Sequence, residues 1–253
     1  MSLLKTDSMT KSNNTPTITA SLSPSLLQLY DVSSSIVVII DVLRATSTIA
    51  SALYNGAKSI IPVDSVADCI KLGKQMEVIT AGERDGKIAE GLTYGNSPLQ
   101  YTPEFIKGKT LVLTTTNGTK LLHMALSEGA RGILTASFCN ISSTCDYLIS
   151  QNKNIILACA GWKDRVNIED TLLAGAIVNR VKGRFYQNCD ACQISESMYL
   201  LAKENLFDFM RLKDASHYHR LMNFGLEEDI RFCLTEDNAN VLCLYDGGRL
   251  IAG

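Results

Sequence analysis

Five consecutive β-branched residues, Ile36 to Ile40, make the most apolar stretch of the chain, and the run turns abruptly polar at Asp41, Arg44, Thr46, Ser47 and Thr48. Short apolar runs of this kind alternate with segments of helical period along most of the sequence. That is the pattern of strands joined by crossover helices, and it predicts an α/β fold with a largely parallel (mixed) sheet and helices on both faces. The strands are expected at Ile36–Ile40, Ser59–Val63, Thr110–Thr114, Gly132–Ala136 and Ile155–Ala160. Helices are expected from Thr46 or Ser47 to the Asn55-Gly56 pair, from about Asp64 to Gln75, and over Thr119–Glu128, Ser142–Ser150 and Glu169–Lys182. In the last of these, Leu172, Leu173, Ala176, Ile177 and Val181 share one face, spaced for burial. Between Glu77–Thr80 and the third strand, the stretch AGERDGKIAEGLTYGNSP is glycine-rich enough to predict a long loop, and its length and position suggest a site wall. Beyond Gly183 the character becomes helical with charged faces, before a closing β-hairpin of Val241–Tyr245, a turn at Asp246-Gly247-Gly248, and Arg249–Ala252. Residues 1–17 are polar and Ser/Thr-rich and are expected to be frayed; residues 18–253 are expected to form one α/β domain or two tightly packed lobes.

Composition narrows the possible partners. A chain of 253 residues, 46% hydrophobic, can bury one large core. The net charge of −2 leaves no basic stripe to neutralise a phosphate backbone, so nucleic acid is not an expected partner. The apolar runs fall far short of the roughly 20 residues of a spanning helix, and residues 1–17 lack the apolar stretch of a secretory signal. A cytoplasmic protein without a membrane partner is expected. Eight cysteines are scattered, several within apolar runs such as Cys159 and Cys243, which suits reduced core thiols. Cys189 and Cys192 form one C-x-x-C, read as structural because the sequence around it offers neither a thioredoxin-like context nor a second ligand pair. A homodimer through the charged C-terminal helices is open, with nothing that demands it.

The chemistry gathers where strands end. Parallel sheets bind ligands outside the carboxyl ends of their strands, where helix N-termini also converge. The first such tip carries Asp41 and Arg44. The second, LVLTTTNGT, places Thr115, Thr116, Asn117, Gly118 and Thr119 after a strand, a neutral oxyanion cradle that is neither a Walker loop nor a dinucleotide fingerprint. The third, CAGWKDRVNIEDT, has Lys163, Asp164 and Arg165 in a loop and Glu169-Asp170 opening a helix. Alone, the Thr-rich cradle reads equally well as a strand end capping the next helix, and Glu169-Asp170 reads more readily as an ordinary dipole complement than as a site. Three together, with Glu83 and Arg84 in the glycine-rich loop, point to one site for an anionic ligand. A hard divalent cation would find oxygen ligands in Asp41 with Asp170 or Glu169. Histidine is scarce: His123 lies in a structural helix, and His217 and His219 face different sides if helical, with surface or capping roles expected.

Taken in order, VVIIDVLRATST, AGER, GNSP, TTTNGT, CAG and the IEDTLLAGA helix, followed by S-x-H and GLEEDI, resemble the 2-phosphosulfolactate phosphatase (ComB) family over roughly residues 35 to 250. The resemblance implies an α/β fold of the family's own and a Mg²⁺-dependent acid phosphatase. Its reaction would be hydrolysis of (2R)-2-phospho-3-sulfolactate to sulfolactate and phosphate, a step of coenzyme M biosynthesis. Carried over by position, Asp41, Arg44, Glu169 and Asp170 are the expected catalytic residues, and Asp41, Glu169 and Asp170 the expected metal ligands. Thr115, Thr116, Asn117, Gly118 and Thr119 would hold the phosphate, with Arg84, Lys163 and Arg165 meeting the other anionic groups. Two positions depart from the family pattern: Thr93 stands where an aspartate is common, and Leu242 where a proline is. Leu43 stands where a haloacid dehalogenase would carry its second aspartate, which favours water as nucleophile with Glu169 or Asp41 as base. The rival readings are a phospho-ligand sensor without turnover and a metal-free sugar-phosphate enzyme.

Overall fold

The computed structural model describes residues 15–84, 87–187 and 189–253. Its strands are β1 (Thr17–Ser21), β2 (Ile36–Ile40), β3 (Ser59–Pro62), β4 (Ile79–Arg84), β5 (Lys87–Ile88), β6 (Thr110–Thr114), β7 (Gly132–Ala136), β8 (Ile155–Cys159), β9 (Tyr186–Gln187), β10 (Cys243–Asp246) and β11 (Arg249–Ala252). Among the described residues they make one sheet in the order β5-β4-β6-β3-β11-β10-β7-β2-β8-β1-β9. The helices are α1 (Ala45–Tyr54), α2 (Val66–Met76), α3 (Pro103–Ile106), α4 (Gly118–Ser127), α5 (Ile141–Gln151), α6 (Ile168–Arg180), α7 (Asp190–Ala202), α8 (Leu206–Leu212), α9 (Ser216–Asn223) and α10 (Glu227–Cys233). None of them is long and apolar enough to cross a membrane.

β2 lies parallel between β7 and β8, buried along its whole length, which is why its sequence is an unbroken apolar run. Val37 and Ile39 pack towards Leu121 and Leu122 of α4 on one face. Val38 and Ile40 pack towards Leu172 and Ile177 of α6 on the other. The expected α/β class with both faces covered is therefore what the chain adopts. The face of α6 expected to be buried is buried, but so are Ala174, Gly175 and Val178, because α7 crosses close behind it. A side chain at Gly175 would put Cβ 1.9 Å from the Ser195 carbonyl oxygen, so only glycine allows this approach.

The hairpin sits mid-sheet rather than at an edge. Its two-residue turn has positive φ at both Gly247 and Gly248. β10 runs antiparallel to β7 and β11 antiparallel to β3, so it joins two parallel blocks, β3-β6-β4 and β7-β2-β8-β1-β9, that run in opposite senses. Adjacent strands rotate by roughly 20–25° each, so the five steps from β6 to β2 accumulate about 100° or more. That rotation turns opposed directions into converging ones. Helix α1 packs beneath the join, with Ile49 and Leu53 in one cluster with Ile60, Leu111 and Leu250.

Several local expectations change, among them the hairpin's first strand, which begins at Cys243 instead of Val241, and the strand from Ile155, which ends at Cys159 instead of Ala160. The chain forms strand β1 from Thr17, inside the segment expected to be frayed; residues 1–14 of that segment lie outside the described residues. The glycine-rich stretch opens as strand β4 instead of a loop, because Gly82 is there for sheet packing. A Cβ at Gly82 would fall 2.6 Å from Thr114 Cγ2 and from the Thr114 carbonyl oxygen. Helix α1 starts at Ala45, with Arg44 at its cap position and no side-chain cap bond. Thr46, expected as a cap, instead donates its hydroxyl to the Asp41 carbonyl at 2.9 Å. The third strand ends at Pro62, one residue short of the expected Val63.

Candidate active site

The tips of β2, β4 and β6, the loop after β8 and helix α9 enclose a cavity of about 180 Å³. Asp41, Leu43, Arg44, Glu83, Asn96 and the Thr115–Asn117 turn line its inner wall, and Trp162, His217, Arg220, Leu221 and Phe224 close it from the C-terminal side. Tips that lie far apart in sequence therefore share one pocket.

Asp41 is held by its own backbone. Its N–H donates to Thr46 Oγ1 and its carbonyl accepts the Thr46 N–H, which fixes the strand-to-helix turn. Burial pushes its carboxyl up to about 7; His217 opposes that shift, and Glu83 and Glu169 reinforce it. Gly118 opens α4 directly against this carboxylate: a Cβ there would sit 3.0 Å from Asp41 Oδ2. The Leu43–Arg44 peptide is cis.

The cradle is tied to the neighbouring tip, since Glu83 Oε1 accepts the Thr116 hydroxyl at 2.8 Å and the Thr116 N–H at 3.3 Å. Arg44, buried beside the cavity, forms an ion pair with Asp229 of α10, and the other Asp229 oxygen accepts from Ser97 Oγ at 2.8 Å. A buried guanidinium so braced presents a fixed cation to the pocket. The GNSP turn docks on α1 through Thr48 Oγ1 to the Asn96 carbonyl (3.0 Å) and Ser51 Oγ to the Pro98 carbonyl (2.8 Å). The buried Asn96 Oδ1 has no hydrogen-bond partner among the described residues.

Several expected residues lie elsewhere. Asp170 is fully buried with both oxygens engaged: Oδ1 accepts the Val42 N–H at 2.9 Å and Oδ2 the Gly161 N–H at 3.0 Å. It clamps the tips of β2 and β8 instead of lining the cavity. Burial, then Glu169 and Asp41, raise its carboxyl well above the usual range against those two N–H bonds. Glu169, also buried, accepts from or donates to His217 Nδ1 at 2.6 Å. Among the described residues no group of three or more His, Cys, Asp or Glu side chains is arranged to hold a metal, so the triad Asp41, Glu169 and Asp170 is not a preformed ligand set. Gly118 and Thr119 stand behind the cradle, the latter donating its hydroxyl to the Thr115 carbonyl at 3.0 Å. Arg84 turns away to the Glu83 carbonyl and Thr114 Oγ1. Lys163 and Arg165 also stay outside: the Lys163 ammonium lies 4.5 Å from the Trp162 ring centroid, and the Arg165 backbone pairs with Trp162.

The C-terminal region supplies what sequence reasoning missed. His217, expected at the surface, lines the cavity, while His219 faces out to Asp214, so the two rings do point to different sides. Arg220 lies on the Trp162 ring, 4.0 Å from its centroid. The amphipathic spacing of His217, Arg220, Leu221 and Phe224 was the available signal, a one-faced i, i+3, i+4, i+7 set.

The 2-phosphosulpholactate phosphatase family model matches residues 21–248. A probable 2-phosphosulfolactate phosphatase of Thermotoga maritima is 46% identical over 200 residues, 79% of this chain and 84% of the relative. One from Caldanaerobacter subterraneus subsp. tengcongensis is 39% identical over 229 residues, 85% of this chain and 93% of the relative. Another, from Clostridium acetobutylicum, is 36% identical over 218 residues, covering 85% and 91%. A match of this extent, over the same strand tips that build the cavity, makes the chain a member of the 2-phosphosulfolactate phosphatase family.

Proposed function

We propose that the protein hydrolyses (2R)-2-phospho-3-sulfolactate, or a closely related 2-phospho-hydroxyacid, to the hydroxyacid and phosphate, with Mg²⁺ as cofactor, in the cytoplasm. One observation carries this reading: two carboxylates, two arginines and a helix N-terminus meet around one small cavity. The names of the relatives supply the substrate.

The donor set fits the metal. Mg²⁺ takes one or two carboxylates, keeps several waters and meets substrate phosphate; the Asp41 and Glu83 carboxylates at the cavity are hard oxygen donors of that kind. When bound, the ion supplies neutralising charge at the phosphoryl oxygens. The Thr115–Asn117 turn offers hydroxyls and the first N–H groups of α4 to the same phosphate. Arg44 and Arg220 meet the remaining anionic groups, with forks suited to carboxylate and sulfonate. Asp229 keeps the first of these in place and the Trp162 ring supports the second. With Nδ1 engaged by Glu169, His217 has Nε2 left for the cavity, where it hands a proton to the departing alkoxide oxygen. A sensor that only bound its ligand would have use for the anion-binding walls and none for the Glu169–His217 pair.

Phosphate release from 2-phospho-3-sulfolactate and a panel of 2-phospho-hydroxyacids, with and without EDTA, is the primary test. Turnover that EDTA abolishes and Mg²⁺ restores is expected; tight binding without release supports the sensor, and release indifferent to EDTA the metal-free enzyme. His217→Gln should lower kcat on the alkyl phosphate by about 10²- to 10⁴-fold, and much less on 4-nitrophenyl phosphate, whose leaving group needs no proton. Equal losses on both would remove His217 from that role.

Asp41 gives a prediction that does not depend on activity. Its folded-state carboxyl sits at about 7, above the unfolded value near 3.8, so the folded protein binds the extra proton between those limits. The stability this contributes is complete below pH 4 and is lost as the pH rises to 7, by about 2–4 kcal/mol. In EDTA, Asp41→Asn should therefore melt above wild type at pH 8 and near it at pH 4, and should lose most of the stabilisation that Mg²⁺ gives wild type. Equal stabilisation of both proteins by Mg²⁺ would place the ion away from Asp41.

A further inference from the structure

The C-x-x-C motif, read from sequence as structural, acquires in the fold the context it lacked. Cys189 occupies the N-cap of α7, a helix of 13 residues, and Cys192 lies one turn in. Their sulfurs are 3.8 Å apart. Cys192 is fully buried and reaches the Ile18 carbonyl of β1 at 3.6 Å, whereas Cys189 is partly exposed beside the Ala20 carbonyl. Tyr30, whose hydroxyl donates to that same carbonyl at 2.9 Å, also contacts Cys189. The other six cysteines are all buried. Five of them, Cys139, Cys145, Cys159, Cys233 and Cys243, have thiols that burial drives upwards, as it does the thiol of Cys69.

The asymmetry within the pair matters. The Cys192 thiol, acting against the burial that raises it, brings the Cys189 thiol down to about 5, while Cys192 moves up. A cysteine sulfur at a helix N-terminus, partly accessible from solvent and backed by a buried thiol in van der Waals contact, is the arrangement that disulfide exchange requires.

We propose that Cys189 and Cys192 form a thiol–disulfide exchange site, with Cys189 as the nucleophile and Cys192 as the resolving thiol, and low-molecular-weight disulfides as the reactant class. The Cys189 thiolate attacks one sulfur of the small disulfide, whose S–S bond breaks and releases one thiolate. Cys192 then gives its proton to solvent and attacks Cys189 Sγ in the mixed disulfide, expelling the second thiolate. Two protein thiols are oxidised to one disulfide and one small disulfide is reduced to two thiols. The bond would tie the N-cap of α7 to its first turn, on the strand next to β8. The site is independent of the phosphatase reading.

The test uses the full reduced chain in glutathione buffers of increasing disulfide content, quenched by alkylation and mapped by mass spectrometry. Under native conditions at pH 7, Cys189 should be alkylated at least about tenfold faster than any other cysteine, in line with its greater thiolate fraction and exposure. Oxidation should produce an intramolecular Cys189–Cys192 disulfide before any other cysteine reacts. Cys192→Ser should accumulate glutathione on Cys189, and Cys189→Ser should accumulate none on Cys192. Wild-type alkylation alone decides the matter if either variant folds poorly. Alkylation of Cys189 no faster than that of the other cysteines, or no 189–192 disulfide in excess glutathione disulfide, would overturn the proposal.

Discussion

The site depends on one buried carboxylate that lies outside the cavity lining. Asp170 accepts the Val42 N–H with one oxygen and the Gly161 N–H with the other, and so ties the carboxyl tips of β2 and β8 together. Both donors are backbone groups at strand ends, where the sheet ladder has stopped and another acceptor is needed. Burying a carboxyl this completely is expensive unless its oxygens are satisfied, and here they are. Because Asp170 holds the frame, Asp41 is free to face the cavity, and Glu169, its neighbour in the first turn of α6, can orient His217. Two adjacent acids at a helix start thus do different work, set by what each one touches: backbone N–H groups for Asp170 and the His217 ring for Glu169.

A second constraint is the position of the closing hairpin. Inserted between β3 and β7, it forces the two parallel blocks to run in opposite senses, and their carboxyl ends would diverge in a flat sheet. Twist accumulated across the join brings them back to a single pocket, with α1 filling the space beneath. The C-terminal helices then act as the wall: α10 delivers Asp229 to Arg44, and α9 delivers His217 and Arg220. The C-terminal region is therefore part of the site.

Much of this was legible in the chain because burial writes a simple code. Ile36–Ile40 had to be an interior strand, and a polar residue directly after it had to emerge at a tip, so Asp41, Arg44 and the Thr115–Asn117 turn could be read as one site. The ambiguous residues were those whose chemistry suits two tasks. Glu169-Asp170 could ligate a metal, cap a helix or brace a strand, and only the Val42 and Gly161 N–H groups decide for Asp170. Arg84, Lys163 and Arg165 had the right charge, but a flanking loop does not reveal direction, and the cations that reach the cavity are Arg44 and Arg220. Gly82 misled because glycine signals both a loop and a close approach between strands; the contact with Thr114 is a tertiary fact. His217 was hidden for the same reason, since its partner lies 48 positions away.

The central proposal is that the Asp41 and Glu83 carboxylates would face the metal while Thr115–Asn117 would receive the phosphate. A crystal structure with Mn²⁺ and orthophosphate tests it most directly, because Mn²⁺ reports its own position by anomalous scattering. The account predicts an anomalous peak within coordinating distance of the Asp41 carboxylate, with phosphate bound between it and the first turn of α4. A metal seated instead between Glu169 and Asp170, or phosphate bound outside this cavity, would contradict it.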